Sequence, residues 1–211
     1  MIIGLGALGS HIADGLLRRG ESLILIDPDH VEEENIPFTT YMREDIGRAK
    51  VRVFEQKYAR HASPRAEQII TRQARFESLA EEDRNSLVRK AKSIIITTDT
   101  RESRRTILTL LPAERDVYAV SIGLESGDII RARASQLARL LAGKRGFSCE
   151  TRRLHPALPR LTASLFLATW DALHHGEALR ITRNPLSLTR YTLLGEKREA
   201  EKPSESPESN S

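Results

Sequence analysis

The chain has 211 residues, of which 39% are hydrophobic and 29% are charged. This composition favours a globular domain with a sizeable core over a membrane protein, because no apolar run approaches the roughly 20 residues that cross a bilayer. The single cysteine excludes an internal disulfide and a cysteine-only metal site. The net charge of +4 comes from arginines mixed with glutamates, so we do not expect a nucleic-acid partner. We expect a cytoplasmic protein without a signal peptide and without a membrane partner.

A glycine-rich turn follows the first apolar run. Residues 1–3 lead into Gly4-Leu5-Gly6-Ala7-Leu8-Gly9, and a helical pattern then continues to Gly20. Glycines permit a tight turn and let backbone N–H groups approach phosphate at a helix N-terminus. A turn of this kind also occurs in α/β proteins that bind nothing there.

Two carboxylates stand at the ends of later apolar runs. Asp27 follows residues 23–26. Its spacing from the glycine turn is close to the roughly 20 residues at which an acidic side chain meets the ribose hydroxyls of a bound nucleotide. Asp99 follows residues 94–96 and two threonines. Because ligands bind beyond the carboxyl ends of parallel strands, the turn and the two acids together predict a nucleotide-binding domain.

Apolar runs alternate with helix-length amphipathic stretches, which is typical of βαβ units. The pattern predicts an α/β, Rossmann-like fold with a mostly parallel, doubly wound sheet and antiparallel strands toward the C-terminal side. After the second strand it predicts helices over 48–61, 76–91, 100–111 and 159–175, strands over 66–71, 93–98, 117–122, 129–133, 181–182 and 188–194, and a turn at Gly127.

The predicted domain covers residues 1–194, and a charged tail covers residues 195–211. The tail contains mainly Glu, Lys, Pro and Ser and no large apolar residue, so we expect it to be disordered. The first strand has only three residues before Gly4, which is short for a strand. We therefore expect that the chain is truncated or begins further upstream.

Three longer motifs make the pattern specific. Residues 27–35, Asp-Pro-Asp-His-Val-Glu-Glu-Glu-Asn, resemble a D-x-D-x-V-x-x-x-N segment, residues 45–50 resemble D-x-G-x-x-K, and residues 98–104 resemble T-D-N-x-x-T-R. These are motifs of the ThiF/MoeB/HesA adenylyltransferases in the ubiquitin-activating-enzyme superfamily. The resemblance covers about residues 1–180.

The resemblance implies an enzyme that uses ATP and Mg²⁺ to adenylate the C-terminal carboxylate of a ubiquitin-like or sulfur-carrier protein. It also implies a homodimer or a paired subunit. The implied roles are backbone donors to phosphate from Gly4, Gly6, Ala7 and Gly9, ribose contacts from Asp27 and Asp29, phosphate contacts from Asn35 and Lys50, and Mg²⁺ binding by Asp99.

Several of these residues have a structural alternative. Asp99 is also suited to cap the helix that begins near Thr100. Lys50 is compatible with a solvated helix lysine, and Asn35 and Asp29 with turn residues that bond to the local backbone.

The sequence departs from the family pattern at two places. Phe38 stands where the family has an arginine that contacts the triphosphate, and Arg43 is a candidate substitute from further along the same loop. Cys149 lies where the family often has C-x-x-C, but Arg152 replaces the second cysteine, so we expect no zinc. Cys149 is either a thioester nucleophile, with a pKa lowered by nearby arginines, or a plain buried cysteine.

Three other functions stay open beside adenylation. The missing arginine favours a catalytically weak partner subunit that keeps the fold. The basic isoelectric point, near 9.4, mildly favours a tRNA-modifying dehydratase of the same superfamily. Asp27 would also suit an NAD-dependent oxidoreductase, in which Asp99 would have no role.

Overall fold

An eight-stranded sheet forms the centre of the protein. The computed structural model describes residues 1–61, 69–123, 126–142, 156–170, 172–173, 176–183 and 186–192. The strands lie in the order β3-β2-β1-β4-β5-β6-β7-β8. The first five in this order are parallel and the last three pair antiparallel. Their bounds are Ile2–Ile3 (β1), Leu23–Ile26 (β2), Ile69–Arg72 (β3), Ile94–Ile96 (β4), Asp116–Ile122 (β5), Ser126–Arg133 (β6), Glu177–Arg183 (β7) and Leu186–Thr192 (β8).

Helices cover both faces of this sheet. Their bounds are Ala7–Arg18 (α1), Lys50–His61 (α2), Glu81–Lys90 (α3), Arg101–Thr109 (α4), Ala134–Ala142 (α5) and Ala157–Thr169 (α6). Buried side chains of α1, α2 and α6 form one hydrophobic cluster, and those of α3, α4 and α5 form a second cluster. This is a doubly wound sheet, so the predicted fold class is confirmed.

The central strands are apolar along their whole length because both of their faces are covered. All four residues of β2 and all three residues of β4 are buried. Helix α1 buries Ile12, Leu16 and Leu17 on its inner stripe and is followed by Gly20 at a φ of +81°. A positive φ of this kind is accessible to glycine without strain, which explains why the helix ends there.

The predicted charged helix over residues 76–91 is interrupted in the structure. A 3₁₀ helix, Phe76–Ser78, comes first, and α3 begins only at Glu81. Phe76 is 1% exposed in the second hydrophobic cluster, so the tertiary position of this ring determines the local backbone rather than helical periodicity. The last long helix also ends early, at Thr169 instead of residue 175.

Gly127 was predicted in a turn, and that prediction is wrong. It lies inside β6, opposite Ile122 of β5. A Cβ atom at this position would lie 2.0 Å from Oγ1 of Thr162 in α6. The glycine therefore permits a close approach of helix to strand, which is its other common role in a sheet.

Some predictions fall partly or wholly outside the described residues. Cys149, the adjoining Arg152 and the tail 195–211 are among them, and the 1–194 domain boundary stays a prediction. Within the described ranges, no helix has the length and apolar character needed to cross a membrane.

Candidate nucleotide-binding cleft

A cleft of about 700 Å³ opens at the carboxyl ends of the parallel strands. Residues that follow β1, β2, β3 and β4, together with Ile122 at the end of β5, line its walls. This edge is where open α/β sheets bind ligands. The predicted site residues that line it are Gly4, Gly6, Ala7, Asp27, Asp29, Asn35, Lys50 and Asp99.

The glycine turn is tightly built between β1 and α1. Gly4 has a φ of +97°, and its carbonyl oxygen accepts a hydrogen bond of 2.7 Å from the Thr97 hydroxyl. A Cβ atom at Gly9 would lie 1.9 Å from that same Gly4 oxygen. Gly9 therefore serves the packing of the turn, and it is not among the residues that line the cleft.

Gly6 has a different role in this turn. A Cβ atom built on Gly6 would have no atom within 4 Å, so it would project into open space where the residue lines the cleft. Gly6 is also the N-cap of α1 and has no side chain to accept hydrogen bonds from the first-turn N–H groups. These N–H groups at the positive end of a helix are suited to an anion such as phosphate.

Asp27 connects the end of β2 to the glycine turn. It is 4% exposed, and its two carboxylate oxygens accept hydrogen bonds from the backbone N–H groups of Leu5 and Asp29. Burial raises the pKa of the Asp27 carboxyl, while the charge of Lys50 and the two N–H donors act in the opposite direction. Each oxygen keeps a lone pair after these bonds, so the carboxylate can still accept a ribose hydroxyl.

Lys50 points into the cleft from the start of α2. It is 7% exposed, and its Nζ atom lies 3.2 Å from Oδ2 of Asp29, whose side chain is largely exposed. The interpretation of Lys50 as a solvated helix lysine is therefore wrong. A buried ammonium with one exposed carboxylate partner can still bind an incoming anionic oxygen.

The segment that leads to α2 contributes one polar and one apolar wall residue. Oδ1 of Asn35 accepts the N–H of Glu32 at 3.2 Å within a 3₁₀ helix, Glu33–Phe38, as the turn-former alternative predicts. Phe38 lines the cleft and packs against the first hydrophobic cluster. Arg43 is exposed and does not line the cleft, so the structure does not bring it to the other candidates.

Asp99 follows β4 and is exposed at the cleft. The N-cap of α4 is Thr100, whose hydroxyl accepts the N–H of Ser103 at 3.1 Å. The alternative in which Asp99 caps this helix is therefore wrong. Among the described residues, no group of three or more His, Cys, Asp or Glu side chains could hold a metal ion. Any metal at Asp99 would need oxygens from a ligand.

Two arginines in the cleft were not predicted as site residues. Arg104 is 4% exposed, and its Nε atom donates to the Thr98 carbonyl oxygen at 2.6 Å. Its place at the end of the predicted T-D-N-x-x-T-R motif was a signal that could have identified it. Arg75 lines the cleft after β3 with an exposed side chain. No sequence motif contains Arg75, and only the sheet order reveals its position.

The lining residues carry an excess of negative charge. The acidic residues are Asp27, Asp29, Glu32, Glu34, Glu77 and Asp99, and the basic residues are Lys50, Arg75 and Arg104. A polyphosphate would therefore enter a cleft with twice as many acids as bases, unless cations neutralise it.

Comparison with known families agrees with this geometry. The profile of the ThiF family matches residues 1–125, which include the glycine turn, Asp27, Lys50 and Asp99. The chain belongs to the ThiF family. No protein of curated function matches it in sequence.

Several solved structures share the fold of this ThiF-family chain. MccB of E. coli with AMPCPP and MccA has a TM-score of 0.69 and 13% identity, and MccB with ATP has a TM-score of 0.66 and 14% identity. PaaA has a TM-score of 0.63 and 17% identity. Each match covers 91% of this chain and 62% of the other chain, so this ThiF-family chain spans under two thirds of their length.

Proposed function

We propose that this ThiF-family protein adenylates a carboxylate at the C-terminus of a peptide or protein, with ATP as the second substrate. The observation that carries the proposal is one cleft that joins the open N-terminus of α1, the buried Asp27, Lys50 and the exposed Asp99. The substrate we favour is a ubiquitin-like or sulfur-carrier protein. MccB, which shares the fold, has been solved with ATP and with MccA, and this supports the proposal.

The reaction transfers the adenylyl group to the carboxylate. A carboxylate oxygen forms a bond to the α-phosphorus of ATP, the bond to the bridging oxygen breaks, and pyrophosphate leaves with that electron pair. Such a substitution depends mainly on positioning and on neutralising charge. In this proposal the α1 N-terminus and Lys50 bind phosphate oxygens, Asn35 offers its amide, and Asp27 and Asp29 bind the ribose. The chemistry ends at the acyl-adenylate, without a thioester on Cys149.

The described residues fit Mg²⁺ only if phosphate oxygens of a bound nucleotide complete its ligands. This ion is commonly bound by one or two carboxylates together with substrate phosphates. Asp99 is an exposed carboxylate for which no hydrogen-bond partner is found among the described residues. When bound, the ion would neutralise charge on the phosphates, and Asp99 would hold it at the β4 end of the cleft.

A second function has a specific observation in its favour. Phe38 forms a cleft wall where the related enzymes have an arginine, and the lining is rich in acids. Both facts favour a partner subunit that binds nucleotide weakly and assists another adenylating chain. The two functions differ in whether this protein, without a second enzyme subunit, exchanges pyrophosphate into ATP when a peptide or carrier protein with a free C-terminal carboxylate is supplied, because the exchange runs through the acyl-adenylate.

The test combines binding with turnover. We expect ATP with Mg²⁺ to raise the melting temperature more than NAD does at the same concentration, because the ligand that binds the native state more tightly stabilises it more. We expect Asp99→Ala to lose pyrophosphate exchange and keep its apo melting temperature. Glu102→Ala is the control, since Glu102 is a nearby acid outside the cleft lining. An equal or larger shift with NAD, or full exchange in Asp99→Ala, would contradict the proposal.

A further inference from the structure

The segment 38–41 lies against the glycine turn, α1 and α2. The Phe38 carbonyl oxygen lies 3.2 Å from Nε2 of His11, and the Thr40 carbonyl accepts the ammonium of Lys57 at 2.6 Å. The shortest contact with the turn itself comes from Tyr41, whose hydroxyl donates to the Leu5 carbonyl oxygen at 2.8 Å. The proposed function gives Tyr41 and this hydrogen bond no role.

Tyr41 is held rigidly and acts as a donor. It is 2% exposed, and its ring packs edge-on against Phe54 with 5.9 Å between centroids. Burial raises the pKa of the Tyr41 hydroxyl, and the acidic side chains of Asp27, Asp45 and Asp29 raise it further. The hydroxyl is therefore protonated at neutral pH, where it donates its hydrogen bond to the Leu5 carbonyl oxygen.

The Leu5 backbone is consequently held from two sides. Its N–H donates to the buried carboxylate of Asp27, and its carbonyl accepts from Tyr41. In a planar trans peptide the C=O and the N–H of the next residue point in opposite directions. Holding the Leu5 carbonyl toward Tyr41 therefore turns the N–H of Gly6 the other way, and Gly6 lines the cleft.

We propose that Tyr41 is a positioning residue that aims the Gly6 N–H at a phosphate of the bound nucleotide. This inference rests on the proposed function, because it assigns a phosphate to the turn. It adds a residue outside the glycine motif to the binding machinery. A donor fixed before the ligand arrives does not have to be ordered on binding, so the fixed peptide strengthens nucleotide affinity.

The experiment compares two Tyr→Phe variants. Tyr41→Phe removes one hydroxyl and keeps the ring on Phe54. Tyr118→Phe is the matched control, because Tyr118 is also buried and its hydroxyl also donates to a backbone carbonyl, that of Trp170 at 2.7 Å. The measurements are the apo melting temperature, the dissociation constant of ATP with Mg²⁺, and hydrogen exchange of the amides of residues 4–9.

We expect Tyr41→Phe to weaken ATP binding about fivefold to tenfold, as the loss of one ordering hydrogen bond does. Amide exchange in the glycine turn should accelerate in the same variant. Both variants should lower the apo melting temperature by a similar amount. Tyr118→Phe should leave the dissociation constant of ATP and the amide exchange of residues 4–9 unchanged. Equal weakening in the two variants, or unchanged affinity and exchange in Tyr41→Phe, would overturn the inference.

The exchange measurement separates this inference from the proposed function. If the unaltered protein bound no ATP, the adenylation proposal would fail, and with it the phosphate at Gly6. Amide hydrogen exchange alone would then test whether Tyr41 orders the glycine turn. Unaltered exchange in Tyr41→Phe would refute that hold as well.

Discussion

At the scale of single residues, Gly6 provides the most direct test of a ligand at the turn. Gly6 has a φ of −73°, which any residue adopts, and a Cβ there meets open space. We expect Gly6→Ala to lower stability by no more than about 1 kcal/mol, because alanine is a poorer N-cap than glycine while its Cβ meets no atom of the fold. We expect ATP affinity to fall at least about tenfold, because close backbone approach to phosphate needs a glycine. Chemical denaturation and calorimetric titration measure the two effects.

Gly9→Ala is the contrasting variant in the same turn. Its Cβ would overlap the Gly4 oxygen, so stability should fall by about 1–3 kcal/mol or more. Gly6→Ala with unchanged ATP affinity would mean that no phosphate approaches the turn. The two glycines look alike in the sequence motif and separate only when their surroundings in the fold are known.

Arg75 is the residue that we expect to supply a cation to the nucleotide. Its exposed side chain lines the cleft, and no partner is found for it among the described residues. We predict that Arg75→Ala weakens ATP binding about tenfold, as loss of a charge-assisted hydrogen bond does. Arg43→Ala is the control, since Arg43 is also exposed and lies outside the lining. If a titration at fixed salt shows that Arg43→Ala weakens ATP binding more than Arg75→Ala does, Arg43 and not Arg75 supplies the cation.

At the scale of elements, the loop 38–41 is joined to α1 through a titratable side chain. Burial lowers the pKa of His11, and the charges of Arg160 and Lys57 lower it further, while the Phe38 carbonyl and Asp14 act in the opposite direction. The folded protein therefore binds fewer protons at His11 than the unfolded chain does just below pH 6.5, the ordinary pKa. Stability should be fully present above that pH and fall as the pH drops toward the folded pKa.

The test of this pH dependence is His11→Gln, which keeps a nitrogen near the Phe38 carbonyl and cannot titrate. We expect the melting temperature of the unaltered protein to fall more steeply between pH 7 and 5 than that of the variant. Parallel curves over this range would show that His11 does not contribute to the acid sensitivity of the fold.

The elements were predictable from the sequence where burial follows a simple period. Strands β2 and β4 and the inner stripe of α1 depend on local apolar patterns, and their predicted positions agree with the structure. Helix α5 was not predicted, although its buried Ala134, Leu137 and Leu141 follow helical spacing. The break after Phe76 and the strand position of Gly127 depend on contacts with distant elements, which no local pattern contains.

The candidate site was predictable to the extent that its residues belong to contiguous motifs. Asp27 and Asp99 were placed by the ends of apolar runs, and Lys50 by a family motif. Tyr41 and Arg75 belong to no motif. Tyr41 reaches the turn through the tertiary fold, and Arg75 reaches the cleft through the order of the strands.

At the scale of the whole molecule, the charge of the cleft predicts an assembly. Six acids and three bases line it, so a second chain that supplies cations would complete a polyphosphate site. We predict a homodimer or a complex with a paired subunit, in which adenylating activity depends on protein concentration. Light scattering and pyrophosphate exchange over a dilution series measure both. A strict monomer with full activity at micromolar concentration would contradict this prediction.

The central position of β1 also has a consequence for synthesis of the protein. This strand is only Ile2–Ile3, and it lies between β2 and β4. The hydroxyl that holds the Gly4 carbonyl belongs to Thr97, 93 residues further along the chain. A nascent chain must therefore expose the β4 segment from the ribosome before the glycine turn can close. Until then the turn has no partner on that side, and nucleotide cannot assist the early steps of folding.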